Sequence, residues 1–307
     1  MAHYLDPKND FIFKRIFGNH PGLLISFLNA LMPFEPGRRI ESIEYLANEM
    51  VPDNPLKKLS IVDVRCRDNY GRQFIVEMQM EWSSFFLSRM LFNASKTYVQ
   101  QLNRKEKYTA LHPVYALGIL NDKFDNRTDE FYHRYQMINR DNTSEVIEGI
   151  EVILVELSKF KAGSWPDRRM AVLWLRFLKE LDYGSTYISG DLLDNEDIRQ
   201  AAVLCEMAGL TEADVVKYDQ YWDAIRSELT LIDTSRTEGE MKGIRKGIEE
   251  GRREGIEEGR KEGERTKTVQ TVINCAERGI SHEDIAAIAN IALGDVTAII
   301  KEQTGSI

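Results

Sequence analysis

Two acidic residues, Asp63 and Glu77, lie in a segment that is predicted to form a β-hairpin, and each stands between apolar neighbours. Residues 61–81, IVDVRCRDNYGRQFIVEMQME, contain two runs rich in Val, Ile and Phe on either side of a polar turn. A three-residue loop that ends at Gly71 suits this turn, because glycine readily adopts the left-handed conformation required there. In the resulting register Asp63 lies directly opposite Glu77, where like charges destabilise a sheet.

A positive charge must compensate for two opposed carboxylates. Alternation along the strands places Arg65 and Gln79 on the face that carries Glu77, so Arg65 could bridge the two acids on a solvated surface. The alternative is a divalent cation, since carboxylate and backbone carbonyl oxygens are hard ligands that suit Mg²⁺ or Mn²⁺. Such an ion polarises a phosphoryl oxygen and helps to activate a water for attack on phosphorus. The residues alone leave both alternatives open.

The overall charge of the chain argues against a general attraction to nucleic acid. Its 307 residues include 40 Lys and Arg against 49 Asp and Glu, which gives a net charge of −9. An acidic protein does not attract DNA through its overall field, so a DNA site would have to be a local basic patch. For each basic cluster taken alone, solvated surface charge is the favoured interpretation. The clusters contain Arg104, Lys105 and Lys107, and Arg168, Arg169, Arg176 and Lys179.

Cysteine usage and the N-terminus indicate a soluble cytoplasmic protein. The three cysteines, Cys66, Cys205 and Cys275, are far apart and form no CxxC pair, which argues against a disulfide scaffold and a structural zinc site. The opening MAHYLDPKNDF lacks the basic region and apolar run of a signal peptide. The apolar stretch GLLISFLNALM is too short to span a bilayer. We therefore expect no membrane association.

Hydrophobic periodicity predicts a mixed α/β core in residues 1–163. Asp6, followed by Pro7, is predicted to cap a first helix, and a break near Pro21 begins a second. A long helix follows the hairpin, and the runs PVYALGIL and GIEVILVELSKF are typical of buried strands. Residues 164–235 show only helical patterns, so we expect a helical extension that packs on the core.

Glycine occupies every fourth position of a charged segment, residues 236–267. Each glycine costs about 1 kcal/mol relative to alanine inside a helix, so an isolated helix is not expected there. Either the glycine stripe lets another helix approach closely, or the segment is a flexible charged linker. We favour a partly helical connector that self-associates, because isoleucines lie beside the stripe. Residues 236–305 are therefore predicted to mediate a homo-oligomer.

Residues 268–307 are predicted to form a small helical unit that resembles a helix-turn-helix. Ser281 begins a capping box with Asp284, and apolar residues such as Ile285 and Ile288 are expected to form its core. A helix that reads DNA carries basic or amide side chains, but the second helix of this unit has little positive charge. Association with protein is therefore favoured over DNA reading.

Several motifs together carry a resemblance to a known nuclease family. Asp63, followed by Glu77-Met78-Gln79 at the end of the next strand, resembles the motif of PD-(D/E)XK nucleases in its E-x-Q form. The opening DPKNDFIFKRIFG, the helix that contains Arg89 and the Gly-rich tail are similar to one branch, the Rpn recombination-promoting nucleases or putative transposases. The resemblance implies a restriction-endonuclease-like mixed sheet flanked by helices. It also implies a metal-dependent DNA endonuclease that acts in recombination, DNA mobility or defence.

The resemblance assigns roles to individual positions. It implies that Asp63, Glu77 and the Met78 carbonyl bind the metal, Mg²⁺ or Mn²⁺, and that Asp10 is the helix-borne acid of the superfamily. An i,i+4 ion pair with Lys14 is the equally favoured alternative for Asp10.

Gln79 stands where most superfamily members have lysine, and it can orient a water but carries no charge. Arg89 or Lys96 on the next helix could supply the missing cation, although a surface role is slightly favoured for each. The alternative function is a catalytically weak or inactive nuclease-fold protein that acts as an interaction or DNA-binding regulatory module.

Overall fold

The computed structural model describes residues 3–35, 37–50, 60–103 and 105–304. The chain divides into two compact units, Met1–Ile225 and Arg226–Ile307. The strands among the described residues of the first unit are β1 Ile43–Tyr45, β2 Glu49–Met50, β3 Ser60–Ile61, β4 Val64–Asp68, β5 Gln73–Gln79, β6 Val114–Leu120, β7 Tyr132–Ile138 and β8 Val146–Glu156. The helices are α1 Asp10–Phe17, α2 Pro21–Leu31, α3 Phe86–Val99, α4 Arg169–Glu180, α5 Gly190–Leu193, α6 Glu196–Leu204, α7 Glu212–Glu277, α8 His282–Ala289 and α9 Leu293–Thr304.

Six strands form one mixed sheet in the order β1-β4-β5-β6-β8-β7, and β2 pairs with β3 separately. Strands β5, β6 and β8 are parallel, whereas β1, β4 and β7 run antiparallel to their neighbours. The predicted mixed sheet flanked by helices is confirmed. Strand β7 was not predicted, because it lies at the edge of the sheet with its side chains partly or fully exposed and so lacks an apolar pattern.

The hairpin has the predicted register. Val64 pairs with Val76 and Arg67 with Gln73, and the Asp68 N–H donates to the Arg72 carbonyl at 3.0 Å. The turn needs glycine, because residue 71 has a φ of +80° and a Cβ there would lie 2.8 Å from the His112 ring.

Alternate residues of the central strands pack against different helices. Phe74 and Val76 of β5 join the larger core with α1, α2, α4 and α6, whereas Ile75 joins a smaller core with α3. Gly118 of β6 lets α3 approach, since a Cβ there would lie 3.0 Å from the Phe86 ring. Glu77 and Gln79 lie two and four residues after Ile75, so they are on the same face of β5, the face that packs against α3.

The first helix begins later than predicted. Asn9, not Asp6, is its N-cap, because the Asn9 side chain accepts hydrogen bonds from the backbone N–H groups of Phe11 and Ile12. Asp6 instead accepts from the Lys8 backbone N–H at 2.9 Å. The later start places Asp10 in the first turn of α1.

The second unit contains most of α7, together with α8 and α9. The glycines of residues 236–267 lie inside α7. A Cβ added to any of them would meet no atom within 4 Å apart from its chain neighbours and the helix's own backbone. Ser281 caps α8 and accepts from the Asp284 N–H, as predicted. Ile285 is buried in the small core, but Ile288 is 57% exposed, so its predicted core position is wrong. Residues 305–307 of the predicted terminal unit lie outside the described part of the chain.

Within the described ranges, no helix is both long and apolar enough to cross a bilayer.

Candidate active site at the end of the hairpin

Asp63 lies just before β4, outside the paired ladder. The Asn48 side chain takes over the backbone hydrogen bonds there, because its Nδ2 donates to the Asp63 carbonyl at 2.8 Å and its Oδ1 accepts from the Arg65 N–H at 3.1 Å. The Asp63 Oδ2 accepts from the Met78 backbone N–H at 2.7 Å. This bond fixes the carboxylate against β5.

Asp10 and Lys14 of α1 surround the Asp63 carboxylate. Lys14 Nζ lies 2.7 Å from Asp10 Oδ1 and 3.5 Å from Asp63 Oδ1, and the two acids share a hydrogen bond. The i,i+4 pair expected as the alternative for Asp10 is therefore present, and Asp10 also reaches Asp63. Burial and the negative charge of Asp10 raise the pKa of Asp63 to about 7. Burial opposes the charge on Lys14, but the hydrogen bond to Asp10 and the charge of Asp63 raise the Lys14 pKa.

Tyr221, near the start of α7, also faces these acids. Burial raises its pKa, and the negative charges of Asp10 and Asp63 add to the increase. Its hydroxyl therefore stays protonated and can act as a hydrogen-bond donor near the carboxylates.

Glu77 turns towards α3. Its side chain is buried, its Oε1 accepts from Asn93 Nδ2 at 2.8 Å, and its Oε2 lies 3.3 Å from Arg89 Nε. Burial raises the pKa of Glu77 despite the hydrogen bonds from Asn93 and Arg89, which act in the opposite direction. Asn93 and Arg89 lie four residues apart on α3, so one face of the helix holds both carboxylate oxygens.

Arg89 also holds the side chain of Gln79. Its Nη2 donates to Gln79 Oε1 at 2.5 Å, while Gln79 Nε2 donates to the Glu81 carbonyl at 2.9 Å. Lys96 instead donates to the Met50 carbonyl at 2.6 Å. Arg89 is therefore the cation of α3 that lies beside the E-x-Q residues.

One family model matches most of the chain. Its description is PD-(D/E)XK nuclease family transposase, and it covers residues 7–235. The chain belongs to this family. No curated protein and no solved structure matches it. As a family member the chain has a nuclease-like fold and function, and DNA is the substrate that such a nuclease implies.

The paired register ends at Val64 and Val76, so Asp63 and Glu77 are the next residues beyond it, and their carboxylates contact different helices. Asp63 contacts α1 and Glu77 contacts α3. Asp63 lies outside the ladder, so strand alternation does not fix its side chain. In the described ranges Arg65 forms no ion pair with either acid, and its Nη2 donates to Gln73 Oε1 at 3.2 Å. The alternative in which Arg65 bridges the two acids is therefore wrong.

PD-(D/E)XK nucleases generally use divalent metals. Within the residues that the structure describes, no group of three His, Cys, Asp or Glu side chains is placed to hold an ion. The oxygen donors nevertheless have suitable chemistry, because Asp63 and Glu77 are carboxylates beside the Met78 backbone. The acids are also crowded, since Asp63 and Asp10 share a hydrogen bond. A divalent cation would relieve their repulsion.

Sequence reasoning missed Asn93 and Tyr221 and saw Lys14 only as the partner of Asp10. Asn93 had a readable signal, because it is a polar residue in the apolar stripe that includes Met90. Tyr221 had none, since it is far along the chain from the hairpin.

Proposed function

We propose that this family member is a metal-dependent DNA endonuclease of the Rpn type, which hydrolyses phosphodiester bonds in recombination, DNA mobility or defence. The observation that carries the proposal is the acid cluster of Asp63 and Asp10 next to Glu77-Met78-Gln79. A raised pKa and a buried carboxylate are costly in a merely structural role, and such features concentrate at catalytic sites.

Asp63, Glu77 and the Met78 carbonyl would hold Mg²⁺ or Mn²⁺. When bound, the ion supplies Lewis-acid stabilisation of the phosphoryl oxygens. The protein holds these ligands in place from both faces of the sheet. The Met78 N–H orients Asp63, and Asn93 orients Glu77. Asp10 places a second carboxyl group beside Asp63, and two acidic groups favour a divalent over a monovalent ion.

Gln79 and Arg89 together would replace the usual lysine. The Gln79 amide can orient the attacking water, but it cannot stabilise the negative charge that develops on phosphate. Arg89 supplies a positive charge beside Gln79, because its Nη2 donates to Gln79 Oε1 at 2.5 Å. A guanidinium suits phosphate oxygens through paired hydrogen bonds. Arg89 therefore provides electrostatic stabilisation from α3 instead of from β5.

Nicking of supercoiled plasmid tests this proposal. Wild type should nick DNA with Mg²⁺ or Mn²⁺ and not with EDTA, and Asp63→Ala should abolish nicking. Glu44→Ala is a matched control that should retain activity, because Glu44 of β1 is exposed and pairs with Arg67 of the neighbouring strand β4. Calorimetry with Mn²⁺ should show binding by wild type that Asp63→Ala removes.

The alternative, a catalytically inactive regulatory module, is supported by the neutral Gln79. It predicts metal-independent DNA or protein binding and no nicking by wild type. Nicking that Asp63→Ala leaves unchanged would instead indicate a contaminating nuclease and contradict the proposed site.

The proposal also includes a homo-oligomer mediated by residues 236–305. The exposed isoleucines beside the glycines of α7 support it, among them Ile244, Ile248 and Ile256. Light scattering should show an oligomer for the full chain and a folded monomer after truncation at Ile232. A full-length monomer at tens of micromolar would contradict this assembly.

A further inference from the structure

Lys14 of α1 lies between the two carboxyl groups of the acid cluster. Its Nζ is 2.7 Å from Asp10 Oδ1, 2.9 Å from Asp10 Oδ2 and 3.5 Å from Asp63 Oδ1. The second Asp63 oxygen, Oδ2, accepts the Met78 backbone N–H at 2.7 Å. The ammonium therefore faces the Asp63 oxygen that does not take part in the bond to β5.

This ammonium balances charge that two neighbouring acids would otherwise accumulate. Asp10 and Asp63 share a hydrogen bond, and the positive charge of Lys14 lowers the pKa of Asp63, against the effects of burial and of Asp10. In the metal-free protein, Lys14 thus stabilises the ionised form of Asp63, which is the role that a bound metal ion would take over.

We propose that Lys14 is the internal counter-ion of the metal site, and that a divalent cation must displace its ammonium from Asp63 in order to bind. This inference rests on the proposed function, in which Asp63, Glu77 and the Met78 carbonyl hold Mg²⁺ or Mn²⁺. A cation at Asp63 Oδ1 would be a close neighbour of Nζ, and like charges so close together in a partly buried site repel strongly.

Lys14 is able to leave Asp63 without losing its other acid. Its side chain is 36% exposed, and both oxygens of Asp10 lie within hydrogen-bond distance of Nζ. Asp10 is one helical turn before Lys14, so this i,i+4 pair persists while the flexible stem turns the ammonium towards solvent. Displacement therefore costs one ionic contact and preserves the other.

Arg89 does not have the same freedom at Glu77. Its Nε lies 3.3 Å from Glu77 Oε2, but its Nη2 also donates to Gln79 Oε1, and its guanidinium lies 5.1 Å from the centre of the Phe86 ring. A guanidinium with three neighbours is held more firmly than an ammonium shared by two acids. Of these two cations, Lys14 is the one that can move.

An internal counter-ion also makes the site selective among ions. The ammonium carries the same single charge as Na⁺ or K⁺, and its tether gives it a high effective concentration at Asp63. A monovalent ion therefore gains little by replacing it. A divalent ion brings twice the charge to Asp63 and Glu77, and this gain outweighs the lost contact with Lys14.

Calorimetry with Mn²⁺ on the full-length protein tests the inference without relying on cleavage. The titration is done at pH 8, above the pKa of Asp63, about 7, so that few protons compete with the metal. Lys14→Met removes the charge and should bind Mn²⁺ at least fivefold more tightly than wild type. Lys14→Arg keeps the charge and should bind no more tightly than wild type.

Arg15→Met is the matched control for the loss of one positive charge from α1. Arg15 is the next residue of the helix, but its Nη2 donates to the Gly209 carbonyl at 3.0 Å and its Nη1 lies 3.9 Å from Asp214. This variant should bind Mn²⁺ within twofold of wild type. A general effect of net charge would instead make Arg15→Met resemble Lys14→Met.

Thermal unfolding separates a counter-ion from a merely structural lysine. In EDTA, Lys14→Met should melt at a lower temperature than wild type, because Asp10 and Asp63 lose their shared cation. In saturating Mn²⁺ this gap should shrink, because the metal displaces Lys14 from Asp63 in wild type as well. A gap of the same size under both conditions overturns the inference.

The calorimetry also distinguishes failure of the inference from failure of the proposed function. If wild type binds Mn²⁺, Asp63→Ala does not, and Lys14→Met binds no more tightly than wild type, the metal site stands and the role of Lys14 is overturned. If neither wild type nor Lys14→Met binds, both are overturned. Binding by Lys14→Met alone, removed when Asp63→Ala is added, supports a counter-ion that closes the site.

Discussion

Replacing Asp63 by asparagine should stabilise the metal-free protein while it abolishes metal binding. Asp63 shares a hydrogen bond with Asp10 and accepts one from the Met78 N–H. An asparagine can satisfy both, because its amide nitrogen donates to Asp10 and its oxygen accepts from Met78. The substitution therefore removes a negative charge without leaving a buried polar group unpaired.

The size of the effect follows from the pKa of Asp63, which rises from 3.8 to about 7 on folding. Each unit of pKa corresponds to about 1.4 kcal/mol, and the side chain is only 19% exposed. Ionised Asp63 thus costs the folded state about 2–4 kcal/mol at pH 8. Asp63→Asn should raise the free energy of unfolding by this amount.

The pH dependence has a definite sign. Because the folded-state pKa is raised, the folded protein binds the proton more tightly than the unfolded chain. Protonated Asp63 therefore adds to the stability of the folded protein. This contribution is fully present below pH 3.8 and is lost as pH rises through about 7. The advantage of Asp63→Asn should therefore be largest at pH 8 and shrink by at least half at pH 5.

Urea unfolding with EDTA, followed by tryptophan fluorescence, measures this difference. All four tryptophans lie within Met1–Ile225, so the signal reports on the unit that contains Asp63. Asp68→Asn is the matched control, and it should destabilise, because Asp68 forms a buried ion pair with Arg72. Equal stability of wild type and Asp63→Asn at pH 8, or the same gain at both pH values, would refute the reasoning.

Three further predictions concern residues near the site and in α7. Gln79→Ala should lower plasmid nicking at least tenfold and leave Mn²⁺ binding in calorimetry nearly unchanged; unchanged nicking would assign Gln79 a structural role. Asn93→Ala should destabilise the protein by about 1–3 kcal/mol in urea, because the buried Glu77 carboxylate loses a donor. Gly251→Ala should raise the helix content and melting temperature seen by circular dichroism. If the glycine stripe contacts another helix, the same variant should weaken association in light scattering. Tighter association would favour the linker alternative.

Turn chemistry made the hairpin predictable. A loop that ends in Gly71 allows one register, and that register is confirmed from Val64 to Gln73. The predicted start of α1 was wrong. Asp6 followed by Pro7 has the residue types of a helix cap, but Asn9 is the residue that caps the helix. Residue types near a helix start show that a cap is present, but they do not decide between two capping residues three positions apart, here Asp6 and Asn9.

The family motif located the candidate site but not the surroundings of its side chains. The direction of the Asp63 carboxylate depends on the Met78 N–H and on Lys14 of α1, whereas Asn48 holds only the Asp63 backbone. The contact of Arg89 with both Glu77 and Gln79 depends on how α3 packs over the sheet. None of these contacts follows from spacing along the chain, because each joins elements whose approach is set by the cores.

The four-residue repeat in α7 gives this helix an unusual freedom to change length over evolutionary time. Adding or deleting one repeat keeps every glycine in its stripe and every ion pair such as Lys261–Glu257 in its spacing. Each such step lengthens or shortens the helix by about 6 Å and rotates everything that follows by about 40°. Slippage in a repetitive gene segment could thus adjust the reach and orientation of the terminal helices in small increments, without disturbing the nuclease fold.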